Sequence, residues 1–382
     1  MLVLGMKIMI LNGQCLRLAD KPVKRINIDI ESIIDAAENN PLMSENIKEL
    51  VKKSDNILLI TSSDICEEVY DYIFSICSGK NIAVISDNIP LKYMQYQTIF
   101  NHGNIEDYLF FGASAGRAPM LVNKNINNYD LVIVISTVMM NAYGGFLGSI
   151  TTLFNAITAP KTGAAVVKNA LQDSLYNIQK IACGLTIRNP VYESIREGLI
   201  TAGKAFHGFA INIDADYIDI KEPKHSVFAG DIFISQIEVQ NIIDKKYKAQ
   251  TPPALYDGIE LNIECYNNVV YLTTLIEIFC KKLQKGGRLL ININDMQSFG
   301  NNIFHEIFNK NTLAEIADAV DETNYMESFY AFILKYYTLN YHIALPDNEQ
   351  LNPVLRQAGL NPLKEDEIKT FLSNCNNKGI FE

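Results

Sequence analysis

Residues 110–149 decide the fold of this chain: they contain FFGASAGRAP (110–119), DLVIVISTV (130–138) and, directly after it, MMNAYGGFLGS (139–149). An unbroken apolar run rich in Val and Ile is typical of a parallel strand that is buried on both faces. Glycines that follow such a strand let the backbone adopt positive φ and come close to a ligand. The pattern predicts an α/β fold with a ligand site at the second glycine-rich turn.

This predicted site lacks the side chains that usually carry acid–base or metal chemistry. Between Leu131 and Pro160 the chain contains no His, Cys, Asp, Glu or Lys. General acid–base catalysis and metal binding both depend on these residue types. The scaffold is therefore typical of an enzyme, whereas the expected reactive groups are missing.

Length and charge limit the range of functions. A chain of 382 residues is long enough for two α/β domains, which implies a cleft between them. The net charge of −10 and the lack of a Lys/Arg-rich run argue against nucleic acid as a partner. We expect no membrane partner, because no segment of the sequence is long and apolar enough to span a bilayer. The seven cysteines are scattered without a C-x-x-C pair, so we expect neither disulfides nor a metal site and predict a cytoplasmic protein.

Strand and helix patterns alternate along the first two thirds of the chain. Apolar runs predict strands at 56–63, 81–86 and 130–137, and helical periodicity predicts helices at 67–78 and 164–182. Such alternation is typical of βαβ units that build a parallel sheet.

A polar, proline-containing segment divides the chain. Residues 246–254 predict a linker between an N-terminal domain (1–245) and a C-terminal α/β domain (255–382). The second domain contains strand-like YDGIELNI (256–263) and the glycine-led KGGRLLINI (285–293). We therefore predict an α/β fold of two domains with mostly parallel sheets and an interdomain cleft.

Five segments, read in order, carry a resemblance to a known family. They are AENNPLMSENIKELVKKSDNILLITSSD (37–64), FGASAGRAPMLVNKNINNYDLVIVIST (111–137), NAYGGFLGS (141–149), NPVYESIREG (189–198) and KGGRLLI (285–291). Together they resemble the nickel-pincer-dependent lactate racemase family, of which this chain looks like a divergent member. The resemblance implies two α/β domains and the racemisation of a 2-hydroxy acid, which places the chain in the isomerase class. It also implies a tethering lysine, a nickel-binding histidine and two histidines that exchange the hydroxyl proton.

The chain departs from the family at the positions to which the resemblance assigns chemistry. The tethering lysine corresponds to Thr151, the nickel-binding histidine to Ala170 and one acid–base histidine to Asn141. The segment after 81–86 is shortened and leaves no second acid–base histidine. Thr cannot form the covalent tether, and Asn cannot relay a proton near neutral pH. We therefore expect no cofactor, and racemase activity that is lost or altered.

No catalytic residue is assigned, but several residues are candidates for a pocket. Asp64 follows the strand at 56–63, where it either faces a ligand or caps the next helix. The other candidates, which either line a pocket or only preserve inherited loop geometry, are Asn141, Tyr143, Gly144, Gly145 and Gly148.

Three further side chains have two interpretations each. Arg117 is either a carboxylate clamp or part of a surface ion pair. His102 is either a site residue or a structural histidine. Cys66 lies at a predicted strand-to-helix turn, where a thiolate can be stabilised, but Glu67 and Glu68 beside it favour an unreactive thiol.

Three functions are consistent with these observations. The first is a lactate racemase-like protein that has lost its chemistry and binds a partner such as a small carboxylate or hydroxy acid. The second is an active racemase or epimerase with a rearranged or untethered cofactor. The third, prompted by YDGIELNI and KGGRLLI, is an S-adenosylmethionine-dependent methyltransferase, although its upstream glycine-rich loop is not at the expected distance. The sequence does not predict an oligomeric state.

Overall fold

The computed structural model describes residues 29–62, 65–86, 88–98, 104–114, 116–203, 207–214, 225–249, 255–263, 269–293 and 299–381. Among the sequence-based candidates, Asp64, His102 and the linker residues 250–254 lie outside the described residues.

Strands and helices alternate through both halves of the chain. The strands are, in order, β1 (Asn56–Thr61), β2 (Asn81–Ser86), β3 (Tyr108–Ala113), β4 (Pro119–Asn123), β5 (Leu131–Asn141), β6 (Gly145–Leu147), β7 (His207–Asp214), β8 (Val227–Gly230), β9 (Tyr256–Ile263), β10 (Leu283–Ile293), β11 (His342–Pro346), β12 (Asn361–Leu363) and β13 (Lys378–Phe381). The α-helices are α1 (Ile30–Ile34), α2 (Ile47–Lys53), α3 (Glu67–Ile76), α4 (Ser149–Ile157), α5 (Pro160–Ser174), α6 (Pro190–Ala202), α7 (Ile232–Ala249), α8 (Val269–Cys280), α9 (Asn302–Phe308), α10 (Leu313–Asp318), α11 (Tyr325–Asn340), α12 (Asn352–Gln357) and α13 (Glu365–Phe371).

The first sheet has the order β2-β1-β5-β7-β8, with β6 folded back on β5. β2, β1, β5 and β7 are parallel, whereas β8 and β6 pair antiparallel with β7 and β5. The central strands β1 and β5 consist largely of buried Ile, Leu and Val, as expected where both faces of a sheet are covered. β1 has its parallel neighbours β2 and β5 on opposite sides, so the carboxyl ends of β1 and β5 form the switch point at which such sheets bind ligands.

The second sheet has the order β12-β11-β10-β9-β13, and all its strand pairs are parallel. A separate antiparallel hairpin is formed by β3 and β4. The chain is thus an α/β protein with two mainly parallel sheets, and this part of the sequence-based prediction is confirmed.

One hydrophobic core extends across both halves of the chain. It includes Leu153 and Val167 of the first half and Ile276, Phe329 and Ile333 of the second. Helix α11 packs against α5 as well as against α8 and α9. A second apolar cluster, on the opposite face of the first sheet, lies under α2 and α3. The two halves are therefore joined by packed side chains around α11.

Two boundaries differ from the predicted ones. The helix predicted at 164–182 is α5, which ends at Ser174; a 3₁₀ turn (Ile178–Ile181) follows because the Asn177 side chain caps it by accepting from the Gln179 N–H. Helix α7 continues through residues 246–249 of the predicted linker, since the helix-breaking prolines come only at 252 and 253. The domain boundary itself stays a prediction. Among the described helices, none combines the length and the apolar character that crossing a bilayer requires.

Candidate functional site

The second glycine-rich turn lies at the carboxyl end of β5, where the sequence predicts the ligand site. β5 ends at Asn141, and β6 reverses the chain so that Asn141 pairs with Gly145. Gly144 and Gly145 adopt φ of 78° and 83°, which residues with a Cβ rarely tolerate. A Cβ on Gly145 would lie 2.2 Å from the Leu185 carbonyl oxygen. At Gly145, therefore, glycine lets another segment of the same chain approach the turn.

Asn141 is fully buried and hydrogen-bonded by the protein itself. Its Oδ1 accepts from the Tyr143 N–H and from the Tyr330 hydroxyl, both at 2.8 Å. Its Nδ2 donates to Thr274 Oγ1 at 3.0 Å. The Asn141 amide thus joins the turn to α8 and α11 of the second half, instead of facing solvent. Tyr143 is also fully buried and meets the Phe329 ring edge-on, with 5.4 Å between the ring centroids.

The amino terminus of α4, which directly follows the turn, is capped by side chains of this chain. The Gly148 N–H donates to Thr151 Oγ1 at 3.0 Å, and the Ser149 N–H donates to Asn212 Oδ1 at 3.2 Å. The Ile150 N–H donates to the Gln236 side-chain oxygen at 2.7 Å. Free N–H groups at a helix amino terminus are the usual binding site for an anion. Here those N–H groups already have partners.

Gln236 closes the approach to Gly148. Its side chain is fully buried, and a Cβ built on Gly148 would lie 2.6 Å from Gln236 Cδ. Ser149 Oγ also donates to the Gln236 side-chain oxygen, at 3.2 Å. The space above the turn is therefore filled by α7, and Gly148 allows the close packing of that helix.

The residues that the resemblance places at the tether and at the nickel ligand are Thr151 and Ala170. The Thr151 hydroxyl donates to the Gly148 carbonyl and accepts from the Gly148 N–H, so it is committed to its own helix turn. Ala170 is buried within α5 and offers no ligand atom. Within the described part of the chain, no group of three His, Cys, Asp or Glu side chains is arranged to hold a metal ion.

The other sequence candidates lie apart from this turn. Arg117 is exposed, has a left-handed φ of 62°, and forms no ion pair with any described residue. Cys66 precedes α3 and is half-buried; burial is the main cause that raises the pKa of its thiol, which disfavours a thiolate.

A pocket that the sequence interpretation missed lies next to the turn, between α6 and α7. It has a volume of about 410 Å³, and its lining includes Phe146 and Gly184. The polar side chains that line it are Thr186, Tyr192, Glu193, Arg196, Gln240, Asn241 and Asp244.

Two of these polar groups form no hydrogen bond or ion pair with the described residues. Arg196 is exposed and forms no ion pair there, and the buried Gln240 Nε2 has no hydrogen-bond acceptor. Tyr192 and Arg196, like Gln240 and Asp244, are four residues apart and so share one face of their helix. That spacing in NPVYESIREG and in the sequence of α7 is the signal that could have revealed the pocket.

Comparison with known proteins concerns the whole chain. No protein-family model matches it, and no curated protein matches it. It is similar to the solved structure of the lactate racemase apoprotein from Thermoanaerobacterium thermosaccharolyticum, with a TM-score of 0.69 and 15% identity over 92% of this chain and 90% of that one. It is also similar to a structural-genomics protein from Thermotoga maritima, with a TM-score of 0.58 and 12% identity over 89% of this chain and 96% of that one. This protein therefore has a lactate racemase-like fold.

Proposed function

We propose that this protein is a lactate racemase-like protein that no longer racemises through a nickel-pincer cofactor and instead binds a small carboxylate or 2-hydroxy acid. The observation that supports the loss of chemistry is the closed amino terminus of α4. Its N–H groups are satisfied by Thr151, Asn212 and Gln236 of the same chain. A phosphate-bearing cofactor at this turn would have to displace these buried groups, and their desolvation makes that costly.

The pocket between α6 and α7 is the best candidate for the ligand site. An exposed guanidinium such as that of Arg196 can bind a carboxylate with two parallel hydrogen bonds. Glu193 and Asp244 supply acceptors for a neighbouring hydroxyl group, while Phe146 forms an apolar wall. A ligand that carries both a carboxylate and a hydroxyl group matches this combination of donors and acceptors better than a purely apolar molecule does.

A nickel measurement tests the loss of chemistry. The protein is purified from cells that also produce the enzymes that make the nickel-pincer nucleotide, and its nickel content and its interconversion of D- and L-lactate are measured. A lactate racemase expressed in the same cells is the positive control. We expect neither stoichiometric nickel nor interconversion. Stoichiometric nickel, or turnover of any 2-hydroxy acid from a panel, would contradict the proposal and favour a racemase with a rearranged or untethered cofactor.

A titration tests the ligand site. Binding of D-lactate, L-lactate and longer 2-hydroxy acids is measured by calorimetry for the wild type, for Arg196→Gln and for Arg356→Gln, an exposed arginine on α12 that serves as the matched control. Loss of a charge-assisted hydrogen bond should weaken binding about tenfold or more in Arg196→Gln and leave Arg356→Gln unchanged. Absence of binding, or equal binding by all three proteins, would refute this site. Binding of S-adenosylmethionine in the same experiment would instead support the methyltransferase alternative.

A further inference from the structure

The KGGR segment (285–288) places an arginine inside the second sheet, far along the chain from the turn after β5. Gly286 has a φ of 76°, and a Cβ on Gly287 would lie 2.9 Å from the Gln284 carbonyl oxygen. The two glycines thus allow a tight irregularity in β10 directly before Arg288. In the sheet Arg288 pairs with His342, the first residue of β11. Because residues paired across neighbouring strands share a face of the sheet, the two side chains lie side by side.

The Arg288 guanidinium is held in place by α13. Its Nη1 donates to the Phe371 carbonyl oxygen at 2.5 Å, and its Cζ lies 5.7 Å from the centre of the Phe371 ring. A guanidinium has five N–H donors in a fixed plane, so one bond to a carbonyl leaves most of them available. The arginine is therefore both ordered and able to bind a further acceptor.

A pocket of about 370 Å³ opens beside this arginine, at the amino-terminal ends of β11 and β12. Its side chains include Arg288, Thr338, Tyr341, His342, Asn361 and Phe371, and no carboxylate lines it. Within the described residues, no hydrogen bond is formed by the side chains of Tyr341, His342 or Asn361. The Thr338 hydroxyl donates to the Lys335 carbonyl oxygen at 3.2 Å. The chain as a whole carries a net charge of −10. This pocket, in contrast, is lined by the cation of Arg288 and by several side-chain hydrogen-bond donors that have no acceptor among the described residues.

We propose that this pocket binds the phosphate group of a small molecule. Donors come from Arg288 of β10, His342 of β11 and Asn361 of β12, and from Tyr341 directly before β11. This spread suits the tetrahedral oxygens of a phosphate better than the two coplanar oxygens of a carboxylate. The Phe371 ring gives the remainder of the ligand an apolar surface. None of the residues that line this pocket belongs to the pocket between α6 and α7, so the two sites stand or fall independently.

Calorimetric titration with phenyl phosphate, inorganic phosphate and phenol tests the proposal. The wild type should bind phenyl phosphate, bind inorganic phosphate more weakly and show no binding of phenol. Arg288→Gln should weaken phenyl phosphate binding about tenfold or more. His342→Ala and Asn361→Ala should each weaken it severalfold, and Arg356→Gln is the matched surface control.

Two further measurements keep the test decisive. Because Arg288 also caps α13, thermal unfolding establishes whether Arg288→Gln remains folded; His342 and Asn361 are exposed, so their variants report on binding even if that protein is destabilised. Failure of the wild type to bind either phosphate compound would overturn the proposal. So would binding that all three pocket variants retain at full strength, or phenol binding as tight as that of phenyl phosphate.

Discussion

The turn after β5 and the pocket between α6 and α7 lie next to each other and differ in how far their polar groups are exposed. In the turn, the buried Asn141 bonds Tyr330 and Thr274. The side-chain oxygen of the buried Gln236 bonds the amino terminus of α4, although Gln236 Nε2 has no acceptor among the described residues. In the pocket, Arg196 and Gln240 Nε2 form no hydrogen bond or ion pair with the described residues. A glycine-rich turn therefore specifies a backbone shape that can serve internal packing alone. An exposed cation in a pocket, such as Arg196, is the better reason to propose a ligand site.

Polar groups are also bonded within the chain behind the turn, at the junction where α8 meets the segment around Cys183. Glu277 of α8 is buried, and its Oε1 accepts from the Cys183 N–H and from Lys281 Nζ, both at 2.6 Å. Cys183 Sγ lies 2.9 Å from Glu277 Oε2 and donates to it. Burial, together with the Glu277 carboxylate, raises the pKa of the Cys183 thiol well above its ordinary value, so it stays protonated. The polar groups of Glu277, Cys183 and Lys281 thus bond one another and do not face a ligand pocket.

The strongest test of the closed turn is Asn141→Ala. The change removes the buried amide oxygen that accepts from both the Tyr330 hydroxyl and the Tyr143 N–H, which should lower the free energy of unfolding by about 2–6 kcal/mol. Asn169→Ala is the matched control. Among the described residues the half-buried Asn169 side chain makes a single hydrogen bond, to the Gly116 carbonyl, and its loss should cost about 1 kcal/mol. Denaturant unfolding measures both. Equal losses of unfolding free energy in the two variants would mean that the hydrogen bonds of Asn141 do not hold the turn closed.

A pair of glycine substitutions separates close packing from backbone strain. Gly145→Ala places a Cβ against the Leu185 backbone in addition to the strain of its positive φ, and should cost about 2–5 kcal/mol. Gly79 has nearly the same φ, 80°, but nothing lies within 4 Å of its added Cβ, so Gly79→Ala should cost only about 1–2 kcal/mol. The difference in midpoint of denaturant unfolding isolates the packing contribution. Identical midpoints would indicate that the turn is loosely packed and open to a ligand.

The fold was predictable because local patterns and tertiary burial agree along both sheets. The apolar run of 131–135, rich in Val and Ile, is typical of a strand covered on both faces, and β5 is such a strand. The sequence also contains the usual signal for the start of α6, because Asn189 caps that helix and Pro190 occupies its first turn.

The sequence did not predict that side chains of the same chain fill the space at the turn, because these side chains lie far away along the chain. Asn141 meets Tyr330, a residue 189 positions away, and Gly148 meets Gln236 from a helix whose sequence gives no sign of that contact. Sequence spacing shows which backbone a segment adopts, but it does not show which side chain fills the space above it. The pocket beside Arg196 was missed for a related reason. The four-residue spacing indicates a polar face on α6 and another on α7, but only the folded chain brings the two faces together.

The smallest expected effect concerns Glu327 on α11, the helix that covers Asn141. The negative charge of this buried carboxylate is only partly balanced by its surroundings. Glu327 is buried, and burial raises the pKa of its carboxyl above the ordinary value of 4.5, even though the Asn301 amide donates to it at 3.1 Å. The ionised form is therefore disfavoured in the folded state. Glu327→Gln keeps the acceptor oxygen and removes the charge, so the variant should be modestly more stable than the wild type at neutral pH.

The stability that Glu327→Gln gains should depend on pH and should disappear as the pH falls. When the pH falls through the raised pKa, the folded protein takes up a proton before the unfolded chain does, so the penalty in the wild type shrinks and vanishes below 4.5. Unfolding curves from neutral pH to below 4.5 should thus show the advantage of Glu327→Gln fading; Glu349→Gln, at an exposed position, is the control. A variant less stable than the wild type at neutral pH would show instead that the surroundings of Glu327 fully compensate its negative charge. The polar groups of α11 would then be at least as well paired as those of the turn that α11 covers.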